Sequence, residues 1–271
     1  MDSKVQGAVS PERAAYLRSR ERRRRRVRAW QWGLLVFLVA LWELLARLGV
    51  IDSFILSQPS RIWRTWASLL ESGELWLHLW VTVYETLAGF LLGAVLGVGL
   101  AILLWWSSFV AKVSEPYLVV LNSLPKIALG PVIIILVGAG TEAIVFMALA
   151  ISLIVTVLEM LGGFRRTDPD AIRMAKTFGA TKGQIFCKIV LPSNVGTLFG
   201  SLKINIGLSL VGVIAGEFLV SKAGLGYLIV YGGQVFKLDL VMASVIILSA
   251  VAALMYQGVV FLQRLVMGHQ L

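Results

Sequence analysis

With 271 residues, 58% of them hydrophobic and only 15% charged, the chain is too apolar for an ordinary soluble domain, where about 25% of residues are charged. The net charge of +10 would suit a nucleic-acid binder, but ten of the 25 Lys and Arg precede Trp30, and no aromatic residue interleaves the run Arg22 to Arg26 for base stacking. With a mean hydropathy of +0.84 and none of the ~10-residue alternation of a membrane β-barrel, the composition predicts an all-α, polytopic membrane bundle, with lipid and not nucleic acid as the partner of the basic residues.

Residues 1–28 read as a basic cytoplasmic tail, a topology signal in contact with anionic lipid. The first span is predicted over about 30–49, roughly 30 Å of helix. It is too long for a cleavable secretory signal and no small-residue cleavage site follows it. An external segment with Pro59 and an amphipathic stretch around 62–70 leads into a second span, about 79–106. There Gly89, Gly93 and Gly97 line one helix face, a pattern that lets helices approach closely. The third region, about 113–137, is interrupted by Pro125 and by Gly130-Pro131, and a broken helix is tolerated in a membrane where protein or a water-filled cavity receives the freed backbone. A fourth span is predicted over about 141–162, a fifth over 195–219 and a sixth over 238–262.

Six transmembrane helices place both termini on one side, and the basic tail marks that side as cytoplasmic. The polar insert between the fourth and fifth spans then also falls in the cytoplasm, with Arg165, Arg166, Arg173, Lys176, Lys182 and Lys188. The predicted external segments are poorer in positive charge, which agrees with the same topology. The organisation expected is a tail over 1–28, a membrane domain over 29–265 with its cytoplasmic loop at 164–194, and a cytoplasmic C-terminus at 266–271.

Within the insert, Thr167 or Asp168 can cap a helix with Pro169 in its first turn. Ala171, Met174, Ala175 and Phe178 fall at i, i+3, i+4 and i+7 and share a face. Gly179 is placed to end that helix, and Thr181 with Gln184 forms a capping-box pattern for a second one. Ile185, Phe186 and Ile189 give the second helix its apolar side, and Pro192 is expected to stop it. Helices this short are not stable alone in water, so their apolar faces need a partner: the bundle itself, the lipid interface or a soluble protein.

From Arg173 to Pro192 the insert resembles the "EAA" loop of ATP-binding-cassette (ABC) importer permeases, written Glu-Ala-Ala, three residues, Gly, nine residues, Ile-x-Leu-Pro. Ala175, Gly179, Ile189, Leu191 and Pro192 match in register, whereas Arg173 stands in the place of Glu and Met174 in that of Ala. Trp42-Glu43-Leu44-Leu45-Ala46, Gly216-Glu217-Phe218-Leu219 and Gly224-Leu225-Gly226-Tyr227-Leu228-Ile229 extend the resemblance, which is nearest to the nitrate, sulfonate and taurine group. It implies a multi-pass subunit of a bacterial inner membrane that moves a small solute inward by alternating access. It also implies a coupling helix docked in a cleft of a cytoplasmic ATP-binding subunit, an extracytoplasmic solute-binding protein, and a permease homodimer. The coupling residues would be Asp170, Ala171, Met174, Ala175, Phe178, Gly179, Ala180, Leu191 and Pro192.

The chain carries no Gly-x-x-x-x-Gly-Lys-Ser/Thr loop, so no cofactor is expected on it, and ATP with Mg²⁺ would sit on the partner. No catalytic cluster or metal site is expected either; Cys187 reads as a small semi-buried apolar residue, and His78 and His269 as interfacial or terminal. Asn122, Ser123 and Lys126 around the Pro125 break, and Asn205 and Ser209 one turn apart, are the candidate pathway residues. Lys126 would suit an anion. Glu85, Glu159 and Glu217 fall in or near spans, where carboxylates tend to face partners or water; Glu217 is expected in a structural pair, with Lys222 as its partner. An ion-coupled secondary transporter or channel built on these carboxylates is the alternative class.

Overall fold

The computed structural model describes residues 11–268, and among them every regular element is helical. Residues 1–10 of the basic tail, and 269–271 of the expected C-terminal tail with His269, lie outside the described residues. The chain divides into two compact units with the boundary between Trp63 and Arg64.

The first unit is dominated by α1 (Pro11–Arg47), one continuous helix of 37 residues whose portion Arg25–Arg47 is apolar and long enough to cross a bilayer. The arginine-rich stretch therefore continues into the span without a break. Helix α2 (Ser53–Leu56) is capped by Asp52, which accepts a hydrogen bond from Phe54 N. Glu43, in the Trp-Glu-Leu-Leu-Ala stretch of α1, holds Arg47 Nε at 2.7 Å with one oxygen and accepts from Ser60 N at 3.0 Å with the other. Ser60 lies in the first turn of α3 (Pro59–Glu71), where amides lack intrahelical acceptors and a carboxylate is favoured by the helix dipole.

In the second unit, α4 (Glu74–Trp106) is followed by α5 (Ser108–Ser123), a short 3₁₀ turn at Lys126–Leu129, and α6 (Gly130–Val137). After α7 (Thr141–Arg165) the insert forms α8 (Pro169–Thr177), α9 (Lys182–Ile185), a π turn at Phe186–Val190 and α10 (Leu191–Ser193). Then come α11 (Val195–Val220), α12 (Leu225–Gln234) and α13 (Leu238–Met267). Among the described residues, five helices are individually long and apolar enough to cross a membrane, and the pair α5–α6, bent by 87°, is a sixth if it counts as one span.

The packing register settles how that bent pair runs. The glycine stripe of α4 lies on α7 with Gly89 at Ala148, Gly93 at Ser152 and Gly97 at Thr156. Both residue numbers rise together, so α4 and α7 are parallel. A Cβ on Gly97 would stand 2.6 Å from that of Thr156, which is why this face carries glycine. Two parallel helices can be joined only if the intervening chain returns along their length, so α5–α6 makes the return crossing despite its bend. Helix α11 is antiparallel to α7, since Gly212 meets Ala148 and Gly216 meets Ile144. Helix α13 leads back toward the insert, with Val251 beside Leu225 and Leu228 at one end and Val259 beside Phe199 and Ile206 toward the other.

The two expected interruptions of the third region differ. Leu124, before Pro125, is extended, as the proline ring requires of its predecessor, and the bend is there. Pro131 sits in the first turn of α6, a position that needs no amide donor, so Gly130-Pro131 starts a helix and breaks none.

A clipped helix pair as the candidate functional site

The insert is built from local chemistry that the residues specify. Asp168, not Thr167, is the N-cap of α8, accepting from Asp170 N at 2.9 Å. Gly179 takes a left-handed conformation with φ +78°, Gly179 N bonds to Lys176 O at 2.9 Å and Ala180 N to Ala175 O at 3.0 Å. That pair of bonds is the Schellman termination. Thr181 and Gln184 form the reciprocal capping box, with Thr181 N donating to Gln184 Oε1 at 2.8 Å and Gln184 N to Thr181 Oγ1 at 3.4 Å.

Pro192 departs from expectation, for it does not stop the helix. The chain stays helical through α9, the π turn and α10. Leu191 N bonds back five residues to Phe186 O, and this wider turn makes room for a proline that a regular α turn would exclude. The helix is interrupted at Asn194, between α10 and α11, where Asn194 Nδ2 donates to Thr167 Oγ1 at 2.9 Å and to Val190 O at 2.8 Å.

The apolar face of α8 is divided. Ile172, Ala175 and Ala180 pack on the buried cluster of Ala101, Val157, Met160, Phe164 and Phe186. Met174 and Phe178 face away from it, 60% and 83% exposed. Phe178, Gly179, Ala180 and Lys188 border a shallow groove of about 330 Å³, and Leu191 and Pro192 are exposed on the same insert. Arg173, in the position where the resemblance would put Glu, pairs with Asp170 at 3.0 Å within α8. Both partners are open to solvent, and such pairs are worth about 0–1 kcal/mol.

Sequence reasoning missed how the insert is fastened. Lys182 Nζ donates to the carbonyl of Trp106, the last residue of α4, at 2.6 Å, and lies over the rings of Trp105 and Trp106 at 5.5 and 5.9 Å. A cation is favoured at a helix C-terminus, where carbonyls lack intrahelical donors. Phe186 packs against Trp105, Trp106 and Phe164 with ring centroids 5.0, 6.5 and 5.5 Å away. The insert is thus joined to α7 and α11 through the chain and to α4 through side chains. The adjacent tryptophans at the end of a glycine-rich span were the one available sign of such an anchor.

The other candidates do not form one cluster. Asn122, Ser123 and Lys126 sit at the α5–α6 elbow, where Ser123 Oγ donates to Val119 O at 2.9 Å and Lys126 Nζ to Asn122 O at 3.0 Å. Asn205 and Ser209 are fully buried; Asn205 Nδ2 donates to Thr156 Oγ1 and Ser201 Oγ, each at 2.9 Å, which makes it an interhelical tie between α7 and α11. Glu217 is buried and does have structural partners, but Lys222 is not among them. Its Oε1 accepts from Thr82 Oγ1 at 2.6 Å and its Oε2 from Gly226 N, because a buried carboxylate on α11 beside the first turn of α12 finds orphan amides nearer than an exposed lysine. His78 is likewise buried, accepting from Gly224 N at 2.9 Å. Cys187 is exposed, on the outer side of the π turn, and not semi-buried.

Fold and insert together define a multi-pass helical membrane protein in which a helix pair is fastened to three of the long apolar helices. The chain belongs to the family of binding-protein-dependent transport system inner membrane components, whose profile matches residues 89–267. It is therefore a membrane transport subunit, the permease of a binding-protein-dependent importer. It is 27% identical over 266 residues, 97% of its length and 96% of the relative's, to a Bacillus subtilis protein named as an aliphatic sulfonates transport permease, SsuC. It is 28% identical over 192 residues, 71% of its length and 76% of the relative's, to the formylaminopyrimidine transport permease ThiX of Halalkalibacterium halodurans. Its fold is shared with a chain of the inward-facing MetNI methionine ABC transporter, at a TM-score of 0.62 and 20% identity over 71% of this chain and 97% of that one.

Proposed function

We propose that the insert is the surface through which a cytoplasmic ATPase drives transport. The observation that carries this reading is the division of α8: Ile172 and Ala175 hold it to the bundle, while Met174 and Phe178 are left as exposed apolar anchors on an otherwise charged helix. Asp170 and Ala171 at the start of α8, the Gly179-Ala180 turn, and the exposed Leu191-Pro192 complete the docking surface. ATP and Mg²⁺ are held by the partner, and this chain supplies no catalytic group. The insert end of the bundle, with the C-terminal end of α13, faces the cytoplasm together with the N-terminal tail. The opposite end faces an extracytoplasmic solute-binding protein, and two copies of the permease enclose the pathway.

The substrate class we infer is a small organic sulfonate such as taurine, supported by end-to-end similarity to a sulfonate permease and by Lys126 at the elbow. The likeness to a formylaminopyrimidine permease favours a neutral heteroaromatic solute as the second reading. Binding of each solute class to the extracytoplasmic partner separates the two. The docking role is tested with Phe178→Asp, which places a charge where an apolar cleft would receive a ring. Copurification of the ATPase and ATP-driven uptake should both fall about tenfold or more, while membrane insertion is unchanged. Wild-type uptake by that variant, or transport by the purified chain driven by an ion gradient alone, overturns the reading.

A further inference from the structure

Helix α4 is a single element of 33 residues, about 50 Å long at ~1.5 Å per residue, and both of its ends are gripped. At the insert end, Lys182 and Phe186 hold Trp105 and Trp106. At the far end, three consecutive amides at the start of α12 are each accepted by a side chain. Gly224 N donates to His78 Nδ1 at 2.9 Å, Leu225 N to Thr82 Oγ1 at 2.8 Å, and Gly226 N to Glu217 Oε2. Thr82 passes its own hydroxyl proton donation to Glu217 Oε1, linking two of the three acceptors.

His78 and Thr82 lie one turn apart on α4, Glu217 belongs to α11, and all three are buried. The His78 ring also stacks on Tyr227 of α12, with centroids 5.9 Å apart. The first amides of a helix have no acceptor within it, and here water does not reach them. Helix α12 therefore cannot part from α4 and α11 without stranding donors in an apolar setting, at the full desolvation cost of each. The far-end helix is bound to move with the rod.

We propose that α4 is the transmission rod of this permease, passing displacement of the insert to α12 through a joint in which Thr82, Glu217 and His78 are positioning residues. The proposal rests on the reading of the insert as an ATPase-driven element. It adds a route that the chain connectivity of α7 and α11 does not supply, because Lys182 and Phe186 reach α4 across space.

The test uses the assembled complex of permease and ATPase with two readouts, solute taken up per ATP hydrolysed in proteoliposomes and nucleotide-dependent labelling in nanodiscs. For labelling, the exposed Cys187 is replaced by Ser, and Lys222→Cys in the loop before α12 is probed with a maleimide. The wild-type rate should differ about threefold between nucleotide-free and vanadate-trapped complex. Thr82→Val, which keeps shape but removes donor and acceptor, should abolish that contrast and lower uptake per ATP about tenfold while ATP hydrolysis continues. Thr82→Ser should restore both. A purely structural role would instead lower uptake and hydrolysis together. If Thr82→Val does not assemble, His78→Phe reads the same joint, since it keeps the stack on Tyr227 and deletes the acceptor for Gly224. Retained labelling contrast with uptake per ATP within about twofold of wild type overturns the joint and leaves ATPase docking standing. Loss of ATP dependence in the wild-type complex overturns the reading of the insert itself.

Discussion

The two ends of α4 solve the same electrostatic problem in opposite solvents. At the insert end a helix C-terminus meets a cation, Lys182, on a surface open to water. At the far end a helix N-terminus, that of α12, meets an imidazole, a hydroxyl and a carboxylate, all buried. Dipole physics selects the residue types at both places, while solvent decides how much each contact matters. Water can replace Lys182 at the Trp106 carbonyl, but it has no access to the amides of Gly224, Leu225 and Gly226. The far end is accordingly the one where the loss of a single contact costs more.

The largest expected effect is therefore at the far end. Glu217→Ala strands the Gly226 amide and the Thr82 hydroxyl and leaves a void, at about 1–3 kcal/mol for each unsatisfied group. The yield of monodisperse protein and its Tm in detergent should both fall sharply, and a Tm equal to wild type would show that the joint is solvated. Next comes Gly179→Val at the insert turn, where a β-branched residue is forced into the left-handed region at a cost of about 1–2 kcal/mol. Because the cost is confined to an exposed turn, it should spare the bundle. Uptake and ATPase copurification should drop while Tm moves little, and an equal fall in both would erase the distinction between the two ends.

A smaller effect is expected for Lys182→Met, which keeps the aliphatic stem over Trp105 and Trp106 but deletes the charge. An exposed cation–π contact is worth about 0.5–1 kcal/mol and the dipole contact a similar amount at low salt. The variant should lose a small part of its Tm in low salt, with the difference shrinking as salt is raised. A salt-independent loss would mean that Lys182 is shielded from water and that the insert end resembles the far one.

What could be read from the sequence follows the distance over which each contact acts. Asp168, Gly179 and the Thr181–Gln184 box were legible because caps are satisfied within four residues. The Gly89, Gly93 and Gly97 stripe was legible as a close-packing face, though not that it lies on Ala148, Ser152 and Thr156 of a parallel helix. The clip from Lys182 to Trp106 and the joint from Thr82 to Glu217 join residues 76 and 135 positions apart, and nothing local marks such pairs. Charge and nearness in sequence pair Glu217 with Lys222, whereas a desolvated carboxylate is better served by fixed amide donors than by a mobile cation. Pro192 read as a stop because a regular α turn excludes it, and the π turn before it is not written in any single residue.

The smallest effect sharpens the comparison from the insert side. Arg173 departs from the EAA pattern, and its one ion pair, to Asp170, spans three residues on an exposed helix. Arg173→Ala should leave Tm within about 1 °C, since pairs of this kind contribute about 0–1 kcal/mol. It should also leave uptake nearly unchanged if Met174 and Phe178 carry the docking. Arg173→Glu restores the residue of the family pattern but sets a like charge one turn from Asp170, which is mildly unfavourable. If that variant raised ATPase affinity, the missing acidic side chain would be a contact that this permease has given up. If it lowered affinity, Arg173 itself meets an acidic group on the ATPase, and the polar rim of the dock has exchanged its sign while its apolar anchors stayed in place.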